Sequence, residues 1–162
     1  MKMVRMSVLR NLPVICDKKR LGLLQSISLD TAQKRVRVLI VSCGMRSKRV
    51  VLPEDVISIA DGFILARRAQ KYKRTMETAP CPFVRDTTGL LCGCVTDYAI
   101  DEKTLTVDAI EIIPGYLPTE HRHRLWAFSY ECSDGEELSV PSCLGSELDF
   151  SREGSKPCVC PP

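Results

Sequence analysis

The stretch Pro13-Val14-Ile15-Cys16-Asp17, followed by Gly22, Leu29-Asp30 and Val36-Arg37-Val38-Leu39-Ile40-Val41, decides how this chain folds. It is written a second time as Pro82-Phe83-Val84-Arg85-Asp86, Gly93, Ile100-Asp101 and Val107-Asp108-Ala109-Ile110-Glu111-Ile112. Pro13 and Asp17 match Pro82 and Asp86 at an offset of 69, and Gly22, Asp30 and Val36 match Gly93, Asp101 and Val107 at 71. The two added residues fall at Thr87-Thr88-Gly89, a turn, where insertion costs little. An internal repeat of this kind sets the architecture before any single element is assigned. It supplies no reaction.

The 162 residues suffice for two small units, each of a size that buries only about 60% of its unfolded surface. Apolar residues at 44% and charged ones at 27% describe an ordinary globular protein. No run approaches the roughly 18 apolar residues of a membrane helix. Met1-Lys2-Met3-Val4-Arg5-Met6 lacks the apolar core of a secretory signal, so a cytoplasmic protein is expected. Nine cysteines in such a chain imply reduced thiols, and the odd number leaves at least one unpaired within the chain.

The net charge of +3 conceals a division. Residues 1–79 carry 17 Lys and Arg against 6 Asp and Glu, or +11; residues 80–162 carry 6 against 14, or −8. A +11 half attracts nucleic acid or another polyanion. The alternative is that the opposite-charge halves neutralise each other, within one chain or by self-association between chains.

Strand signals dominate the walk along the chain. Val14 to Cys16 and Leu21 to Leu29 flank Asp17-Lys18-Lys19-Arg20 as a hairpin, with Leu21, Leu23, Ile27 and Leu29 expected on one buried face. Ile57-Ser58-Ile59-Ala60 and Phe63-Ile64-Leu65 bracket Asp61-Gly62, a strong hairpin signal. Leu125 to Cys132 and Glu136 to Val140 bracket Asp134-Gly135 likewise. The predicted fold is mainly all-β, with two small β-barrels in tandem. The boundaries expected are 1–66 for a first, basic barrel, 67–79 for a basic linker, 80–150 for a second, diverged and acidic barrel, and 151–162 for a flexible tail carrying cysteines.

Pro13-Val14, Asp17, Gly22, Asp30, Val36-Val38 and the closing Leu52-Pro53, Val56, Ile59 and Asp61 together resemble the PRC-barrel domain family. The second copy resembles it more distantly over roughly 80–141. The pair is similar to the tandem PRC-barrel proteins of spore-forming bacteria. The resemblance implies a non-catalytic interaction or assembly module that docks on a protein partner, with an association with sporulation. The matching residues serve turns and core, so the likeness speaks for the fold and names no reacting group.

Three constellations carry candidate chemistry. The basic segment Arg67, Arg68, Lys71, Tyr72, Lys73 and Arg74 is the candidate partner or polyanion surface, with Tyr72 able to stack on a base. Cys158 and Cys160, with Cys132, Cys143, His121 and His123, form an alternative set of zinc or redox ligands. Cys92-Gly93-Cys94, with Cys81 nearby, departs from the usual C-x₂₋₄-C spacing and sits where Leu21 and Leu23 stand in the first copy, so packing is its first reading. Phosphate loops, H-E-x-x-H and G-x-S-x-G are absent from the sequence. The expectation is therefore no enzyme and no cofactor, a protein partner first, and RNA or another polyanion second.

Overall fold

The computed structural model describes residues 2–60, 62–78, 83–114, 124–133 and 137–140. The chain forms two compact units, residues 1–80 with 99–108, and residues 81–98 with 109–162. Among the described residues both are built mainly of strands, as the alternating apolar pattern requires.

In the first unit, β1 (Met3–Arg5) and a short helix (Met6–Leu9) precede β2 (Pro13–Cys16), β3 (Lys19–Asp30), β4 (Arg35–Ser42) and β5 (Lys48–Val51). A single 3-10 turn, Pro53–Asp55, leads into β6 (Val56–Ala60), β7 (Phe63–Ala66) and β8 (Gln70–Lys71). The sheet runs β6-β7-β2-β3-β4-β5-β8, with β2 and β7 parallel and every other neighbour antiparallel. Among the described residues these pairings trace an open path with β6 and β8 at its ends, rather than a closed ring.

The second sheet contains β9 (Phe83–Asp86), β10 (Leu91–Asp101), β11 (Val107–Pro114), β12 (Leu125–Ala127), β13 (Glu131–Ser133) and β14 (Glu137–Val140). Its order, β12-β11-β10-β9-β14-β13, corresponds strand for strand to β5-β4-β3-β2-β7-β6, again with one parallel pair, β9 with β14. The hairpin β13–β14 stands where β6–β7 stands in the first sheet.

Registers correct the alignment of β2 with β9. Val14 lies opposite Gly22 and Val84 opposite Gly93, so these strands correspond at an offset of 70, one residue away from the 69 that the prolines suggest. Burial gives the reason. Val14 and Val84 are both fully buried, whereas Phe83, which the prolines would align with Val14, is 47% exposed. Asp17 and Asp86 also do different work. Asp17 and Lys18 take positive φ in a tight hairpin turn, while Asp86 accepts from the Thr88 and Leu90 amides at 2.8 and 2.9 Å. Asp30 and Asp101 play the same part in their two turns. Each carboxylate accepts from the backbone that follows it, Asp30 from Gln33 at 2.9 Å and Asp101 from Lys103 and Thr104 at 2.8 Å.

The single buried face expected on β3 is interrupted. Leu24 pairs with Val41 and Ser26 with Ile40, leaving Gln25 as a bulge residue. Leu24 is buried before it and Ile27 and Leu29 after it, because one extra residue exchanges the two faces of a strand. Leu21 and Leu23 are only half-buried.

The first unit also takes in the tip of the β10–β11 hairpin. Met3, Val4 and Arg5 pair with Asp101, Ile100 and Ala99. Arg35 bridges Thr106, the residue 71 places on. The Val36 amide donates to the Leu105 carbonyl at 2.8 Å, and the Val107 amide donates to the Lys34 carbonyl at 2.7 Å. The second bond is the first with its two copies exchanged, each residue replaced by its equivalent 71 places away, so the contact is a local two-fold within this unit.

Among the second-unit aromatics, Trp126 and Tyr130 are buried and Phe128 is 36% exposed. The strand ends at Ala127, short of the arm from Leu125 to Cys132 that the hairpin signal suggests.

Gly22 is demanded by a close approach. A Cβ there would lie 2.8 Å from the Ser42 carbonyl carbon and closer still to its oxygen. Gly22→Ala is expected to destabilise the chain by about 1–3 kcal/mol through overpacking, read as a lower urea midpoint. An unchanged midpoint would contradict the close packing of β3 against Ser42.

Candidate functional site

Strand β4 has apolar residues on both faces. Val38, Leu39, Ile40 and Val41 are all buried in sequence, so cover is needed on each side. Val38 and Ile40 join Val50 in one cluster, and Leu52, Tyr72 and Met76 pack over it. The basic segment that the sequence suggests as a linker is what supplies this cover.

Its backbone is held at several points. Gln70 and Lys71 pair with Val50 and Arg49. Arg74–Met76 forms a 3-10 turn. Thr78 donates its amide to the Ser28 hydroxyl at 2.9 Å and its own hydroxyl to the Leu29 carbonyl at 2.8 Å. The Arg67 amide donates to the Asp55 carbonyl at 2.7 Å.

Side chains then divide by alternation. Gln70 is paired with Val50, and Tyr72, two residues on, packs on the same cluster. The Lys48 ammonium lies 5.0 Å from the Tyr72 ring centroid, a cation–π contact, and 3.2 Å from the Glu77 carboxylate. Burial first, and then the hydrogen bond its hydroxyl donates to Glu77, raises the Tyr72 phenol above its ordinary pKa. That same hydrogen bond, followed by the one from Lys48, holds the Glu77 carboxyl below its ordinary value.

The candidate binding residues thus fall into two groups. Tyr72 and Arg68 are committed, the first to the apolar cluster and the second to Asp55 at 3.4 Å. Arg67, Lys71, Lys73 and Arg74 are exposed. Lys71 lies directly opposite Arg49, also exposed, so two like charges face each other across neighbouring strands. Such a pair is mildly destabilising by itself and favours an anion beside it. Arg49 belongs to this surface although it stands far from the basic segment in sequence; the pairing of β5 with β8 brings it to Lys71.

Of the alternative metal ligands, Cys132 is half-buried in β13 opposite the buried Leu138. Cys143, Cys158, Cys160, His121 and His123, and also Cys81, lie outside the described residues. Among the described residues no three His, Cys, Asp or Glu side chains are grouped as metal ligands. Cys92 and Cys94 are half-buried, as are Leu21 and Leu23. The Cys92 thiol donates to the Leu90 carbonyl at 3.6 Å, and burial, then the Asp86 charge, raises its pKa. Burial likewise raises Cys16, with Asp17 and Asp55 adding to the effect. Both thiols therefore hold their protons more firmly than a free cysteine, the reverse of what activates a nucleophile.

Replacing Glu77 by Gln removes the group that joins Lys48 and Tyr72. A carboxyl with a lowered folded pKa stabilises above its ordinary pKa and loses that contribution as pH falls through the folded value. Glu77→Gln is therefore expected to be less stable than the native chain at neutral pH, by a margin that narrows at pH of about 3, below the ordinary carboxyl pKa. Urea denaturation at both pH values checks this; a gap of the same size at both would contradict the pairing.

Residues 1–71 match the PRC-barrel domain family. The match covers the whole seven-strand order of the first sheet and ends at Lys71, the last residue of β8. No curated protein matches the chain.

Proposed function

On the premise that residues 1–71 form a PRC-barrel domain, we propose that the protein is a non-catalytic adaptor that docks on a protein partner. The family match over the first unit carries this reading, because PRC-barrel domains are interaction and assembly modules. Burial raises the thiol pKa of Cys16 and of Cys92, which disfavours these two as nucleophiles. The two sheets, with one strand order and an acidic second half, are two diverged copies of one module, so that partner recognition resides where the copies differ. The setting is cytoplasmic and, following the tandem relatives, tied to sporulation. Among the described residues no helix is long and apolar enough to cross a membrane.

One observation favours a second reading, binding of RNA or another polyanion. Arg49 and Lys71 face each other, and Arg67, Lys73 and Arg74 are exposed close to Lys71 in sequence. Polyanion binding of this kind weakens steeply with salt.

Nuclease treatment and salt separate the two. The full chain, purified from its native cells with bound material, is expected to retain one stoichiometric protein after nuclease digestion. That protein is expected to rebind the purified chain at moderate salt. Retention on heparin that collapses with salt, together with loss of all bound material on nuclease treatment, would replace the adaptor reading with the polyanion one.

A further inference from the structure

A sheet edge carries unpaired amides and carbonyls, and natural proteins blunt it with charges, proline or very short strands. Three of the four strands at the ends of the two strand orders follow that rule. Strand β8 has two residues, one of them Lys71. Strand β13 has three and carries the exposed Glu131, and β12 has three. Strand β6 lacks all three of these devices and has only a bulge, at Ile57, to blunt it. Its five residues, Val56-Ile57-Ser58-Ile59-Ala60, include no charge and no proline, and among the described residues no strand pairs with its outer side.

The edge also presents apolar surface. Val56 faces Ala66 and Ser58 faces Leu65, so Ile57 is a bulge residue, and it is 55% exposed. Phe63, the direct partner of Ala60 on β7, is 37% exposed. The apolar cover that the basic segment gives to Val38, Ile40 and Val50 lies at the opposite end of the strand order, beside β5.

The order of residues names the occupant. Read about Ser58, the strand is nearly the same in both directions: Ile57 mirrors Ile59 and Val56 mirrors Ala60. An antiparallel copy centred on Ser58 sets Ile57 against Ile59, Val56 against Ala60 and Ser58 against itself. Every cross-strand pair within residues 56–60 is then apolar or neutral, which is what a self-complementary two-fold contact requires. We propose that β6 is a self-association edge, on which a second copy of this chain adds its own β6 antiparallel about Ser58. The proposal is independent of the adaptor reading and of the opposite charge of the two halves.

Sedimentation of the full chain over a wide concentration series tests it. The native chain is expected to show a monomer–dimer equilibrium that persists in high salt. Ser58 is exposed, so Ser58→Lys and Ser58→Glu leave the fold intact, which an unchanged thermal melt verifies. Each variant alone is expected to weaken self-association by about a hundredfold, because it sets like charges opposite each other on the dyad. An equimolar mixture of the two is expected to restore association as a mixed dimer. A native chain that stays monomeric would overturn the proposal and leave the Ile57 bulge as edge protection. A dimer that dissolves in salt, a Ser58→Lys dimer as tight as the native one, or a mixture that does not recover would overturn it equally.

Discussion

Burial of β4 on both faces is the constraint from which the first unit follows. A strand with Val38, Leu39, Ile40 and Val41 in succession exposes apolar surface on one side unless two layers cover it. On the side of Val38 and Ile40, Tyr72 and Met76 complete the cover, and Thr78 ties the end of the segment to Ser28 and Leu29. The same residues fix which cations face solvent. With position 72 turned toward the sheet, alternation turns Lys71 and Lys73 the other way. The charge on this surface is thus a consequence of packing beneath it.

Much of the fold was legible in the sequence for a simple reason. Period-two patterns and turn residues are local, and β2 to β7 follow from them. What escaped is non-local or too short to have a period. Strand β8 has two residues, and β1 finds its partner at Ala99–Asp101. The bulge at Gln25 shifts the buried face of β3 without any glycine or proline to announce it. Prolines misaligned β2 with β9 because they set exposed Phe83 against Val14, whereas the buried valine paired with Gly93 is Val84. The signal that could have located the cover on β4 was present in the four consecutive apolar residues, since a strand that carries such a run needs cover on both sides.

The candidate site was legible in composition and not in geometry. A run of cations names a surface, yet Arg68 and Tyr72 have structural duties that spacing does not reveal. Arg49 reaches Lys71 only through the strand pairing. The family match over residues 1–71 takes in the strands β2 to β8, and the local two-fold at Arg35 and Thr106 shows that the first unit also uses residues beyond it.

Limited trypsin digestion measures the central claim most directly, because Arg67, Arg68, Lys71, Lys73 and Arg74 offer five cleavage sites in a few residues. A segment packed on the sheet is cut only when it opens, so its cleavage follows the stability of the unit. These bonds are expected to resist trypsin under native conditions and to yield together as urea approaches the unfolding midpoint. Rapid cleavage after Lys71, Lys73 or Arg74 in the absence of denaturant, with β4 and β5 still folded, would contradict a segment packed as cover on β4.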